Sequence, residues 1–134
     1  MQLTPHLPRL ELIELEGCQD VGDWYAPSRT PSLKTIDLSN VNVSSPQVLD
    51  RILDSLTAYG GTLQELSLKM VNLDRVPVQV ASLTRLRSLN LFGNFISALG
   101  PGSLVAAAGN QLLRLDENRI REIDPTAFSG EFRD

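Results

Sequence analysis

The apolar positions of this chain follow one pattern written five times. With the spacing L-x-x-L-x-L-x-x-N/C-x-L, the copies are "LELIELEGCQDV" from Leu10, "LKTIDLSNVNV" from Leu33, "LQELSLKMVNL" from Leu63, "LRSLNLFGNFI" from Leu86 and "NQLLRLDENRI" from Asn110. The middle of each copy alternates apolar and polar residues with the period of two that a strand imposes. It therefore predicts five short strands that turn Ile13/Leu15, Ile36/Leu38, Leu66/Leu68, Leu89/Leu91 and Leu113/Leu115 to one side. One such strand cannot bury its own apolar side. Stacked in parallel at about 4.8 Å, five of them close a continuous core and satisfy one another's backbone groups.

A second period appears between the second and third copies, in "SSPQVLDRILDSLTAYGG". Val48, Leu49, Ile52, Leu53 and Leu56 recur at intervals of three and four, which makes one face of a helix apolar. Ser45 is suited to the N-cap, Pro46 to the first helical position and Gly60-Gly61 to a left-handed terminus, so a helix of about three and a half turns is predicted here. The segment "DVGDWYAPSRTPS" lacks helical periodicity and reads as a loop, with Trp24 and Tyr25 packed over the core rather than held out as a recognition knob.

The Asn/Cys position of the pattern falls at Cys18, Val41, Val71, Asn94 and Asn118, with separations of 23, 30, 23 and 24 residues. On these residues and this repeat length, the stretch from Leu7 to Gly130 resembles the leucine-rich-repeat family. The ending at Ile120, Ile123, Ala127, Phe128 and Gly130 is similar to the repeats of extracellular animal proteins, whereas "VPVQVASL" is similar to return segments found in many compartments. The resemblance implies an α/β fold: a right-handed, curved solenoid with a parallel sheet of about five short strands on its concave face and helix or irregular segments outside. It also implies a single domain over residues 1–134, part of a longer array, because neither end of the chain reads as a capping module. Two ladder positions, Val41 and Val71, lack the side-chain amide with which asparagine serves neighbouring turns. Either Asn42 and Asn72 compensate, or the turns change so that valine packing suffices.

Charge and composition narrow the function further. A net charge of −4 with singly scattered basic residues argues against nucleic acid as a partner, and no apolar run reaches the roughly 18 residues of a membrane span. Cys18 is the sole cysteine and His6 the sole histidine. An intrachain disulfide and a cysteine-based zinc site are thereby excluded, and no cofactor, metal or catalytic constellation is indicated. Cys18 is expected to serve as a small buried hydrophobe and His6 to lie in a solvated terminus. Asn42-Val43-Ser44 is a candidate N-glycosylation sequon. With the look of the last repeat it favours a secreted chain over a cytoplasmic one.

Between and beyond the inward leucines, the strands expose two columns: Glu14, Asp37, Ser67, Asn90, Arg114, and Glu16, Ser39, Lys69, Phe92, Asp116. Aromatic residues and arginine dominate interface energetics. Phe92 is therefore the leading candidate contact for a protein partner, with Lys69, Asn90, Arg114 and Asp116 around it. The expected function is non-catalytic protein recognition through the concave surface. Two alternatives stand beside it: a structural or regulatory subunit that stabilises a partner enzyme, and a receptor for a small molecule or glycan. Self-association through open solenoid ends is a further expectation.

Overall fold

A computed structural model describes residues 9–14, 32–41, 46–104 and 112–128. His6, Leu15, Cys18, Trp24, Tyr25, the Asn42 sequon and the Ser45 cap lie outside the described residues. The elements in chain order are β1 (Leu12–Glu14), β2 (Thr35–Asp37), α1 (Pro46–Leu56), β3 (Glu65–Ser67), β4 (Ser88–Asn90), β5 (Ala98–Leu99), β6 (Leu112–Arg114) and β7 (Glu122–Ile123). Two 3-10 helices, Thr57–Tyr59 and Val78–Ser82, are added to these.

The five copies supply one strand each. They form a parallel sheet in the order β1-β2-β3-β4-β6, with no copy skipped. Register is constant, so that Ile13, Ile36, Leu66, Leu89 and Leu113 lie side by side across the sheet. The chain is thus α/β with a five-stranded parallel sheet and, among the described residues, one α-helix. A two-stranded parallel sheet, β5 with β7, follows the fourth and fifth copies on the far side of their turns.

The inward column is the core. Ile36, Leu38, Leu66, Leu68, Leu89 and Leu91 are between 0% and 2% exposed, whereas Ile13 on β1 and Leu113 and Leu115 with β6 are only partly buried. Helix α1 presents Val48, Leu49, Ile52, Leu53 and Leu56 to this core, all of them buried, as the three-and-four spacing requires. On its other side Asp50 and Asp54, one turn apart, both accept from the amide of the buried Gln79, at 3.0 and 2.8 Å. Gln79 thereby separates two like charges and ties the helix to the 3-10 segment of the next repeat.

The helix does not end as its glycines suggest. After 11 α-helical residues the chain tightens into a 3-10 turn, and Gly60 keeps a right-handed conformation at φ −52°, ψ −31°. Glycine is required there for a different reason: a Cβ at Gly60 would lie 2.6 Å from the backbone oxygen of Ser82, which cannot swing aside as a side chain could. A Cβ at Gly61 would meet nothing within 4 Å. Gly60→Ala is therefore expected to cost about 2 kcal/mol of stability, and Gly61→Ala to be neutral or to stabilise by about 0.5 kcal/mol. Urea denaturation of the two variants checks this, and equal effects would contradict the close approach as the reason for glycine.

A recurring device sets each turn after its strand. The residue before every described ladder position is left-handed: Asn40, Met70, Gly93 and Glu117, at φ 57°, 53°, 74° and 57°. Asn94 and Asn118 reach back from there to the preceding repeat. The Asn94 side-chain oxygen accepts from Val71 N–H at 3.0 Å and Leu73 N–H at 3.1 Å, and its Nδ2 donates to the carbonyls of Leu68 and Leu91, both at 3.0 Å. Asn118 repeats the scheme, accepting from Ile96 N–H and donating to Leu91 and Leu115.

This arrangement explains the two valines. A ladder asparagine serves the turn before its own, so the turn around Val71 loses nothing by carrying valine, because Asn94 satisfies it. Among the described residues the turn left without an amide is that of Val41, and there Val41 N–H bonds the Leu38 carbonyl at 3.3 Å, a local closure in place of the missing side chain. Asn72 does not compensate: it is exposed, left-handed at φ 64°, and its side chain makes no hydrogen bond among the described residues. Valine packing with a locally closed turn is the outcome, and both valines are buried.

Candidate strand-face interaction site

The sheet side opposite the inward leucines carries three columns rather than two. The extra one, formed by the first strand residues Leu12, Thr35, Glu65, Ser88 and Leu112, was not among the sequence candidates. Its two end members are exposed leucines, at 47% and 50%. The strand alternation that gives the other columns also gives this one when it is extended by one pair toward the start of each copy.

The middle column holds Glu14, Asp37, Ser67, Asn90 and Arg114, aligned residue for residue. Over the first four strands it borders a shallow groove of about 240 Å³ lined by Leu12, Glu14, Thr35, Asp37, Glu65, Ser67, Ser88 and Asn90. No aromatic side chain lines this groove, so nothing in it favours stacking on a sugar ring or a planar ligand. Its character is acidic and hydroxylic. Asp37 and Asn90 also have a local task, since their side-chain oxygens accept from the N–H two residues on, Ser39 at 2.9 Å and Phe92 at 3.0 Å. Such turns end the strands and fix the direction in which the chain leaves them.

The last column changes character along the sheet. Ser39 is 0% exposed, with its hydroxyl 2.7 Å from that of Ser67, so in the second repeat this position is part of the interior and not of the surface. Glu16 lies outside the described residues. Lys69 is half-buried and makes no ion pair among the described residues.

Phe92 is half-buried rather than freely exposed, because a neighbouring repeat covers it. The Arg114 guanidinium lies 5.1 Å from the centre of its ring, within the range of a cation–π contact. Asp116 holds that guanidinium, accepting from Nη2 at 2.6 Å and from Nε at 3.2 Å. These bonds keep the Asp116 carboxyl below its ordinary range and raise the Arg114 guanidinium, the hydrogen bond being the larger cause in each case. The structure therefore brings Phe92, Arg114 and Asp116 into one contact set, places Asn90 at its base, and leaves Lys69 beside it without a bond to it.

A second aromatic pair, absent from the sequence candidates, sits past the turn. Arg119 lies 5.1 Å over the ring of Phe95, which is 45% exposed. Met70 is exposed as well and lies across Gly93, where its Cγ would be 2.7 Å from any Cβ. The clue to the Phe95 pair was present in the repeat alignment, since Phe95 and Arg119 each follow a ladder asparagine.

The described residues contain no group of three histidine, cysteine, aspartate or glutamate side chains that could hold a metal ion. None of the described helices is long and apolar enough to cross a membrane. This face is graded along the sheet, acidic toward β1 and aromatic with paired charge toward β6.

No protein-family model matches the chain. It is similar to chaoptin of Tribolium castaneum, a leucine-rich-repeat protein, with 34% identity over 114 residues that make up 82% of this chain. The chain spans 14% of that protein's length. Together with one parallel strand per sequence copy, this similarity supports a relationship to leucine-rich-repeat proteins.

Proposed function

We propose that the chain is a stretch of a leucine-rich-repeat array that recognises a protein partner, without catalysis, through the outward face of its five-stranded sheet. In this reading the sheet lines the concave wall of a right-handed, curved solenoid that extends as a longer array, and the protein acts outside the cell. The observation that carries the reading is the contact set at the β4–β6 end. There an aromatic ring, a guanidinium stacked on it and a carboxylate gripping that guanidinium are fixed to adjacent strands before any partner arrives. Groups held in place beforehand lose little conformational freedom on binding, which is what converts contact area into affinity. The similarity to chaoptin supports recognition as the class of activity.

The test is capture of partners by the chain from extracellular and cytosolic fractions of the source organism, followed by affinity measurement on the purified partner. Phe92→Ala is expected to weaken binding by about 2 kcal/mol, the range of an interface hot spot, with the fold intact because Phe92 lies outside the buried core. A partner whose affinity is unchanged by Phe92→Ala and by Arg114→Ala would remove the strand face as the site.

A further inference from the structure

A second surface lies past the turns that follow the strands. After Asn94 and Asn118 the chain runs beside the preceding repeat: Phe95 N–H bonds the carbonyl of Leu73, Arg119 N–H that of Ile96, and Arg121 N–H that of Ser97. Side chains alternate there as in a strand, so Ile96 turns to the core while Phe95 with Arg119, and Ser97 with Arg121, form two exposed columns. Between them is an open cleft of about 600 Å³ lined by Phe95, Ser97, Asn118, Arg119, Ile120 and Arg121.

The two stacked arginines found among the described residues differ in one respect. Arg114 is neutralised by Asp116. Neither Arg119 nor Arg121 has a carboxylate partner among the described residues, yet Arg119 is already oriented by its contact with Phe95. A guanidinium whose face rests on a ring keeps its edge N–H groups free for a bidentate acceptor.

We propose that this cleft is a second binding site, distinct from the strand face, for a short acidic segment of a protein partner that sets an apolar side chain against Phe95 and carboxylates against Arg119 and Arg121. A protein segment fits better than a long polyanion. The lining carries two positive charges and no negative one, but the exposed Glu117 and Glu122 flank its 118–121 segment in the chain and the whole chain has a net charge of −4. An extended polyanion would meet repulsion beyond the cleft, whereas a short acidic segment would not.

Selection of a random peptide library against the full chain at low salt tests this. Enriched peptides are expected to combine Asp or Glu with an aliphatic or aromatic residue. Their affinity is expected to fall roughly tenfold or more in Arg119→Gln/Arg121→Gln, and to fall likewise in Ser97→Tyr, which fills the cleft and leaves both arginines. Phe92→Ala is expected to leave it unchanged. The proposal is overturned if no acidic peptides are enriched, if their binding ignores both cleft variants, or if a heparin fragment binds these arginines more tightly than the peptides do. Peptides weakened by Phe92→Ala and not by the cleft variants would place acidic recognition on the strand face, which defeats the cleft as a site and leaves strand-face recognition standing.

Discussion

Replacing Asn94 with alanine is expected to lower the stability of the chain by about 4 kcal/mol, more than any exposed substitution on the strand face. Asn94 is 2% exposed, and its amide is the partner of two backbone N–H groups and two carbonyls. Of these, the Leu91 carbonyl keeps the Nδ2 of Asn118 at 2.9 Å. Val71 N–H, Leu73 N–H and the Leu68 carbonyl lose their side-chain partner, and each buried polar group left unsatisfied costs about 1 to 3 kcal/mol. Water cannot replace the amide in full, since the neighbouring Leu68 and Leu91 are 0% exposed. Asn118→Ala should cost less, because Asn118 is half-buried and solvent can reach the groups it serves. Chemical denaturation of the two variants, with amide hydrogen exchange at Val71 and Leu73, measures this directly. If Asn94→Ala costs less than about 1 kcal/mol, or if Val71 and Leu73 stay as protected as before, the ladder asparagine is not what secures the turn before its own.

The same turns mark where the sequence was and was not legible. Strands and helix followed from apolar spacing alone, because burial depends on which side of an element a residue occupies, and that is a matter of counting. The five copies and the five apolar residues of α1 accordingly lie where the spacing places them. The valines at 41 and 71 were opaque for the opposite reason. Their consequence depends on an asparagine one repeat later reaching back, so the residue that matters for Val71 is Asn94 and not its neighbour Asn72. Gly60 shows the same limit: a close approach to Ser82, 22 positions away, cannot be read from a local turn signal. At the candidate site Phe92, Arg114 and Asp116, drawn from two neighbouring columns, are in contact. Which of them would cover which, and that Ser39 would be wholly buried, depended on side-chain packing between repeats. Phe95 and Arg119 lie past the strands and so outside the outward columns, although the same repeat alignment sets them side by side.

Leu89→Ala should reveal how strongly neighbouring repeats depend on each other. Leu89 is 0% exposed on β4, and β4 pairs with β3 on one side and β6 on the other, placing Leu89 between Leu66 and Leu113. Truncating a fully enclosed leucine removes its transfer free energy and leaves a cavity that the stiff sheet cannot close, for an expected loss of about 4 kcal/mol. Leu113→Ala removes the same atoms at the same repeat position on β6, but Leu113 is only partly buried and pairs with a strand on one side. Solvent already reaches it and the cavity term is small, so about 1 to 2 kcal/mol is expected. The variants should also differ in the form of unfolding. In a repeat array each unit is held by its neighbours, and weakening an inner contact uncouples what lies on either side. Leu89→Ala is therefore expected to lower the urea dependence of unfolding as well as its midpoint, as the stretches on either side of β4 begin to unfold apart. Leu113→Ala should lower the midpoint and leave that slope unchanged. Equal losses and equal slopes for the two variants would mean that the chain unfolds as one indivisible core, with the repeats acting only as a pattern in the sequence and not as units of stability.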